Sequence, residues 1–302
     1  MNLCQPAPLP VVIVVAFIVG LTASLSGVAQ AQPDQSQIFV QVLDQAGQPV
    51  LDMTAEEFIV EEDRLRTQVV SAQFGTQPMK IAILLDIGDA VGVDIFALRE
   101  GLAAFFDTLP SQHEIGLLTV TGQVRLRVDF TTDRAELKKD SETIFVRRNA
   151  GNVFMDGLRE TLRRRFDKED FWPVFLVIVA DREDVSRNMT RAQYGEFHQS
   201  LIDQAVSVHA VIVSGRLATV SPVLASITQN TGGLFTALAS ITGLPETLTE
   251  YATKMGEHYD LMSDRYRVVF ERQSDNPRAA LRVSVNRPDV SVRLFIGRRM
   301  EQ

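Results

Sequence analysis

The sequence predicts an α/β fold: a mostly parallel sheet between two helical layers, with a small β domain formed by the N- and C-terminal segments. Three observations predict it. Two apolar runs, Ile81-Ala82-Ile83-Leu84-Leu85 and Val174-Phe175-Leu176-Val177-Ile178-Val179-Ala180, carry no charge and end in Asp86 and Asp181. Uninterrupted runs of branched side chains bounded by turn residues read as strands covered on both faces, as in a parallel sheet. Strand-like and helix-like segments alternate through residues 79–261, which implies right-handed crossovers. On either side, at 36–75 and 264–302, the pattern turns to short strands separated by Asp, Asn, Gly and Pro.

In chain order, the N-terminal β segment (36–75) reads as strands at 38–43, 58–63 and 68–74. A turn at 44–50 and one helical turn capped by Thr54 lie between the first two. The central block (79–261) reads as strands at 80–86, 115–121, 174–180, 207–214 and 234–238. Val124-Arg125-Leu126-Arg127-Val128-Asp129-Phe130 alternates strictly and predicts an exposed edge strand, antiparallel to 115–121. Helices are predicted at 93–109, 153–166, 191–204, 221–229 and 241–257. In the first, Ile95, Leu98, Leu102 and Phe105 or Phe106 repeat at the spacing of a buried face. The C-terminal β segment (264–302) reads as strands at 266–270, 281–285 and 290–295, packing with the N-terminal one, which is too small to be stable alone.

The length of 302 residues is enough for one large or two modest domains with a real core. A net charge of -8, without a basic cluster interleaved with aromatics, argues against nucleic acid as a partner. Arg163-Arg164-Arg165 is followed by Asp167, Glu169 and Asp170 and reads as a solvated helix end. Residues 1–31 read as a signal peptide: Val11 to Val19 is continuously apolar, and Ala29-Gln30-Ala31 is a small-x-small cleavage signal. The expected location is periplasmic or extracellular. An uncleaved N-terminal anchor is the alternative, because Leu9 to Val28 is about long enough to span a bilayer and the segment ahead of it lacks Lys and Arg. Cleavage would remove Cys4, the only cysteine, and with it any disulfide or thiol nucleophile. After signal removal no stretch is apolar and long enough for a membrane span.

Ligands of open α/β sheets bind outside the carboxyl ends of the strands, so Asp86 and Asp181 mark a candidate cation site. The plainer reading is that both aspartates hydrogen-bond loop amides. Catalysis has little support. His113, His198, His209 and His258 are scattered without metal-ligand spacing, and His209 reads as a satisfied core histidine. There is no Gly-x-Ser-x-Gly elbow and no glycine-rich phosphate loop. In Asp86-Ile87-Gly88-Asp89 the second acid is three residues on, where an aspartyl phosphotransferase has it two residues on.

The two runs, together with the loops after them, resemble the von Willebrand factor type A domain. Its metal-ion-dependent adhesion site opens with Asp-x-Ser-x-Ser at the end of the first core strand, takes a Thr from a later loop and an Asp after the central strand. Asp86 matches the first Asp, and Gly88 and Ala90 stand at the two serine positions. Asn152, in Ala150-Gly151-Asn152-Val153, takes the place of the Thr, and Asp181 matches the last Asp, with Arg182 where a glycine is usual. Thr231-Gly232-Gly233-Leu234-Phe235 also looks like this family. The Asp44-to-Val50 turn, the Phe58-to-Asp63 strand and the strand-rich tail are similar to the bacterial secreted VWFA-related group.

The resemblance implies a three-layer, Rossmann-like fold and a degenerate metal site of Asp86, Asn152 and Asp181. The implied partner-binding face is Asp86, Gly88, Asp89, Ala90, Asn152 and Asp181. It implies a non-enzymatic protein-binding or adhesion-type module of the cell envelope with an unidentified protein partner. No cofactor is expected, with weak Mg²⁺ or Ca²⁺ binding left open. The alternatives are a metal-dependent hydrolase or phosphotransferase using Asp86 and Asp181, or an inert structural scaffold.

Overall fold

The computed structural model describes residues 35–88, 94–167, 172–180, 184–187, 189–213, 220–273 and 279–295. Its strands are β1 (Gln35–Leu43), β2 (Phe58–Glu62), β3 (Leu65–Arg66), β4 (Val69–Phe74), β5 (Met79–Leu85), β6 (Glu114–Thr119), β7 (Arg125–Thr131), β8 (Trp172–Ala180), β9 (Ser207–Val213), β10 (Phe235–Leu238), β11 (Tyr266–Glu271), β12 (Leu281–Val285) and β13 (Ser291–Phe295). The helices are α1 (Ile95–Thr108), α2 (Arg134–Glu142), α3 (Phe154–Arg164), α4 (Arg191–Asp203), α5 (Ser221–Thr231) and α6 (Leu244–Met262).

The central sheet runs β10-β9-β8-β5-β6-β7. Five strands are parallel, and β7 closes one edge antiparallel to β6, as its alternating sequence predicts. Alternate residues of β5 face opposite layers. Ile81, Ile83 and Leu85 pack with Leu98, Leu102 and Phe105 of α1 and with Leu244, Leu248 and Met255 of α6. Ala82 and Leu84 pack with Leu158 and Leu162 of α3, Leu201 of α4 and Leu224 of α5. The middle strands are buried on both faces, which is why they carry no polar alternation.

Two smaller sheets share one further core and mix the chain ends: β13-β1-β11-β4 and β12-β2-β3. Tyr266 anchors them. Its hydroxyl donates to the Val50 carbonyl and accepts from the Met53 amide, both at 2.9 Å, and its ring packs against Phe58 and Phe74. Phe39 of β1 stacks on Trp172 of β8 and ties these sheets to the central one.

The sequence pattern leaves out α2. Only Leu137 and Ser141 are buried in it, too few to print a periodicity; Asp133 caps it instead, accepting from the Ala135 and Glu136 amides. The last central helix begins later and runs further than the pattern at 241–257, because Ile241–Gly243 forms a separate 3₁₀ turn before Pro245. Two glycines after α5 are required. Gly232 caps the helix at φ +74°, and a Cβ on Gly233 would lie 1.9 Å from the Val208 carbonyl oxygen. Among the described residues no helix is long and apolar enough to cross a membrane.

Candidate functional site

The chain leaves β5 for β6 on one side and later returns to place β8 on the other. Neighbouring strands whose connections diverge in this way open a crevice at their carboxyl ends. Asp86 lies at that point, directly after β5. Its amide donates to the Ile178 carbonyl at 2.8 Å, extending the pairing with β8 by one residue.

The Asp86 side chain is only 1% exposed. Oδ1 accepts from Thr121 Oγ1 at 2.7 Å and from the Gly88 amide at 2.9 Å, while Oδ2 faces the Ala180 amide at 3.4 Å. The same Thr121 hydroxyl accepts from the Ile87 amide at 2.7 Å. Thr121 therefore locks the turn after β5 to the end of β6.

Asn152, also 1% exposed, lies between two loops. It bridges to Thr121 on one side and to Asp184 on the other, and its carbonyl accepts from the Val185 amide at 2.9 Å. Around it the Gly122 amide donates to Gly151 and the Val153 amide to Val120, both at 2.7 Å. The Asn152 side-chain Oδ1 accepts from the Phe154 amide at 3.3 Å; its Nδ2 is buried without a partner. Thr121, touching both residues, is what brings Asp86 and Asn152 to one place. Gly88 lies between Asp86 and the loop that carries Asn152: a Cβ there would stand 3.1 Å from Asp86 Oδ1 and 3.6 Å from the Ala150 carbonyl. Asp89, Ala90 and Asp181 lie outside the described residues.

This topology has a solved counterpart. A von Willebrand factor type A structure from Catenulispora acidiphila superposes at a TM-score of 0.52 with 12% identity, covering 87% of this chain and 73% of that one. The chain has the von Willebrand factor A fold. BatB from Bacteroides thetaiotaomicron aligns at a TM-score of 0.47 and 13% identity, over 59% of this chain and 99% of that one. Proximal thread matrix protein 1 from the mussel byssus, solved with a zinc-occupied MIDAS motif, aligns at 0.46 and 13%, over 68% and 48%. No protein-family model and no curated protein matches the sequence.

In this fold the described donors, Asp86 and Asn152, do not fit a hard divalent cation, which takes six or more oxygen ligands. Both oxygens of Asp86 already face hydrogen-bond donors. Asn152 leaves an N–H group unpaired, and Gly88 contributes no side-chain oxygen. Among the described residues no three His, Cys, Asp or Glu side chains come together as a metal group.

Apolar side chains stand exposed around the loops that hold Asp86 and Asn152. Phe96, in the first turn of α1, is 75% exposed. Phe145 is 73% exposed, two residues before Arg147, whose amide donates to the Ile87 carbonyl beside Asp86 at 2.8 Å. Arg99, one turn after Phe96 on α1, lies over the Phe145 ring at 5.4 Å and donates to the Ile144 carbonyl at 2.6 Å. On the other side Val185, 55% exposed, packs over Gly151 so closely that a Cβ on the glycine would lie 2.6 Å from its Cγ2. Sequence reading misses these residues, because exposure of a lone aromatic leaves no periodic signal.

It misses a second acid as well. Asp184 accepts from Ser186 Oγ at 2.6 Å and from the Ser186 amide at 3.2 Å. Burial raises its carboxyl above the ordinary range against those bonds, and the Asp156 charge adds to the rise. The core histidines are half satisfied: His113 and His209 each accept a backbone amide at Nδ1, from Met79 and Leu234 at 3.0 Å, and leave Nε2 unpaired.

Proposed function

We propose that this A-type domain is a non-enzymatic, adhesion-type module that binds a protein partner at the face around Asp86 and Asn152, without a bound metal. The observation that carries the reading is the pair of phenylalanines, Phe96 and Phe145, left open to solvent beside the crevice. Large aromatics exposed at a strand-end crevice supply contact area at low entropic cost and are over-represented among the residues that dominate protein interfaces. Asp86 then serves the face as a brace. Together with Thr121 it fixes the turn from which the loop to α1 departs. Asp89, Ala90 and Asp181 belong to the proposed face by their positions in the sequence.

An enzyme needs a base within reach of a nucleophile in a cleft. Asp86 is enclosed by its own donors, and the two fully buried histidines, His113 and His209, bond to backbone amides. Export follows from residues 1–31 as a signal peptide, and the same proposal divides the mature chain into segments 36–75, 79–261 and 264–302.

The test is capture from the native envelope fraction by the immobilised protein. Phe96→Ala together with Phe145→Ala should weaken capture about tenfold or more, and chelator should leave it unchanged. Equal capture by the double variant would remove the aromatic face from the reading. In a separate measurement, millimolar Mg²⁺, Mn²⁺ or Ca²⁺ should leave the thermal midpoint where it is. Saturating a site in the folded state alone adds about 3 kcal/mol at a hundredfold excess over Kd. An upward shift abolished by Asp86→Ala would establish a metal site.

A further inference from the structure

Beside the site loops of the A-type domain opens a cavity of about 640 Å³. One wall is α3, contributing Asp156, Arg159, Glu160, Arg163 and Arg164, and Arg187 lines it from the loop after Asn152's partner Asp184. Residues 156, 159, 160 and 163 recur at three and four positions and so share one face of the helix. The two acids are already engaged: Arg159 Nη1 stands 3.6 Å from Asp156 Oδ1, and Arg164 Nη1 stands 2.9 Å from Glu160 Oε1. Asp156 Oδ2 accepts the Arg187 amide as well, at 3.2 Å. The exposed guanidinium groups of Arg163 and Arg187 have no carboxylate partner among the described residues. In a chain with a net charge of -8, this cavity carries a local surplus of positive charge.

We propose that the cavity receives acidic side chains from an extended segment of the protein partner, with Arg163 and Arg187 binding its carboxylates. The inference rests on the protein-binding reading above and names the chemistry of the partner. Guanidinium groups grip a carboxylate with two parallel N–H donors, and two in one cavity that no described carboxylate occupies suit two separated carboxylates. A phosphate dianion fits less well. Asp156 and Glu160 remain on the wall to repel it, and the nearby Gly122, Val153 and Val185 amides are spent on backbone carbonyls rather than gathered into an anion nest. Val185, which also lines the cavity, continues its surface into the apolar rim of the proposed face.

The probe is a fluorescent peptide of alternating Glu and Val, compared by anisotropy at low salt with the same peptide carrying Gln for Glu. The Glu peptide should bind about tenfold or more tightly than the Gln peptide and weaken as salt is added. Arg163→Glu with Arg187→Glu should remove that preference with an unchanged thermal midpoint, and Arg163→Gln with Arg187→Gln should remove most of it. Equal binding of the two peptides, or a preference that survives charge reversal, overturns the proposal. Displacement of the peptide by inorganic phosphate at an ionic strength that sodium chloride shows to be harmless overturns it in favour of a phosphate ligand. The phenylalanine variants separate the two readings. Envelope capture lost on Phe96→Ala with Phe145→Ala, while charge reversal leaves the peptide untouched, keeps the binding face and sinks the arginine site. The converse pattern keeps the arginine site and sinks the aromatic face.

Discussion

Acidification from pH 7 to pH 5 is expected to cost about 4 kcal/mol of stability through two buried histidines, each losing about 1.4 kcal/mol per pH unit below its unfolded pKa. His113 is held down to about 4, first by burial and then by the charge of Arg134, with Asp260 opposing. His209 is held down to about 3, by burial and by the charge of His258. A histidine depressed in the folded state contributes its full stability above the unfolded value of 6.5. As pH falls below that value the unfolded chain takes up the proton first, and the loss continues until the folded pKa is reached. Urea unfolding at a series of pH values measures the slope. His113→Asn and His209→Asn keep an acceptor for the Met79 and Leu234 amides, cost something at pH 7, and should flatten the curve between pH 7 and 5. Variant and parent curves that run parallel through this window would refute the assignment.

Glu62→Ala is expected to destabilise the protein by about 3 kcal/mol. Glu62 is 2% exposed at the end of β2. Its Oε1 accepts from Arg272 Nε at 3.0 Å and Nη2 at 2.8 Å, and Oε2 accepts from the Gln273 amide at 2.7 Å. Truncation leaves an amide and a guanidinium without their shared acceptor. The Arg272 side chain is 21% exposed, which lets water recover part of the loss and keeps the figure near the lower end for a broken buried pair. A double-mutant cycle with Arg272→Ala separates the pair from the packing. A coupling below about 0.5 kcal/mol would make the contact incidental.

The central fold is legible in the sequence because β5 and β8 are buried on both faces, so their composition alone distinguishes them from their surroundings. The edge strand β7 is legible for the opposite reason: one solvated face prints an alternation, with bulged pairing to β6 that no pattern announces. Asp86 is visible as the first charge after an apolar run. Thr121 is not, because its role arises from the parallel register of β5 and β6, which carries Leu85 against Thr119 and brings the next turn within reach. Asn152 is found through the family motif, yet its orphaned Nδ2 depends on three loops converging. Sequence reading takes His209 for a satisfied core histidine; only its Nδ1 is paired, and a second proton would have to enter at that nitrogen, which already accepts the Leu234 amide, in a site without solvent.

The mixing of chain ends in the two smaller sheets has a consequence for synthesis. Of the strands, β1 is made before its two neighbours, β11 and β13, by most of the chain; the Arg272–Glu62 contact between the two small sheets closes a separation of 210 residues. A ribosome therefore emits Ile38, Phe39, Val40 and Val42 long before the strands that pair with β1 exist. Such a strand has two open edges and an apolar face, a template for pairing with other chains. The nascent protein thus carries this strand unpaired while the central sheet is being made, and a holdase that masks residues 35–43 until β11 and β13 arrive is expected to raise the yield.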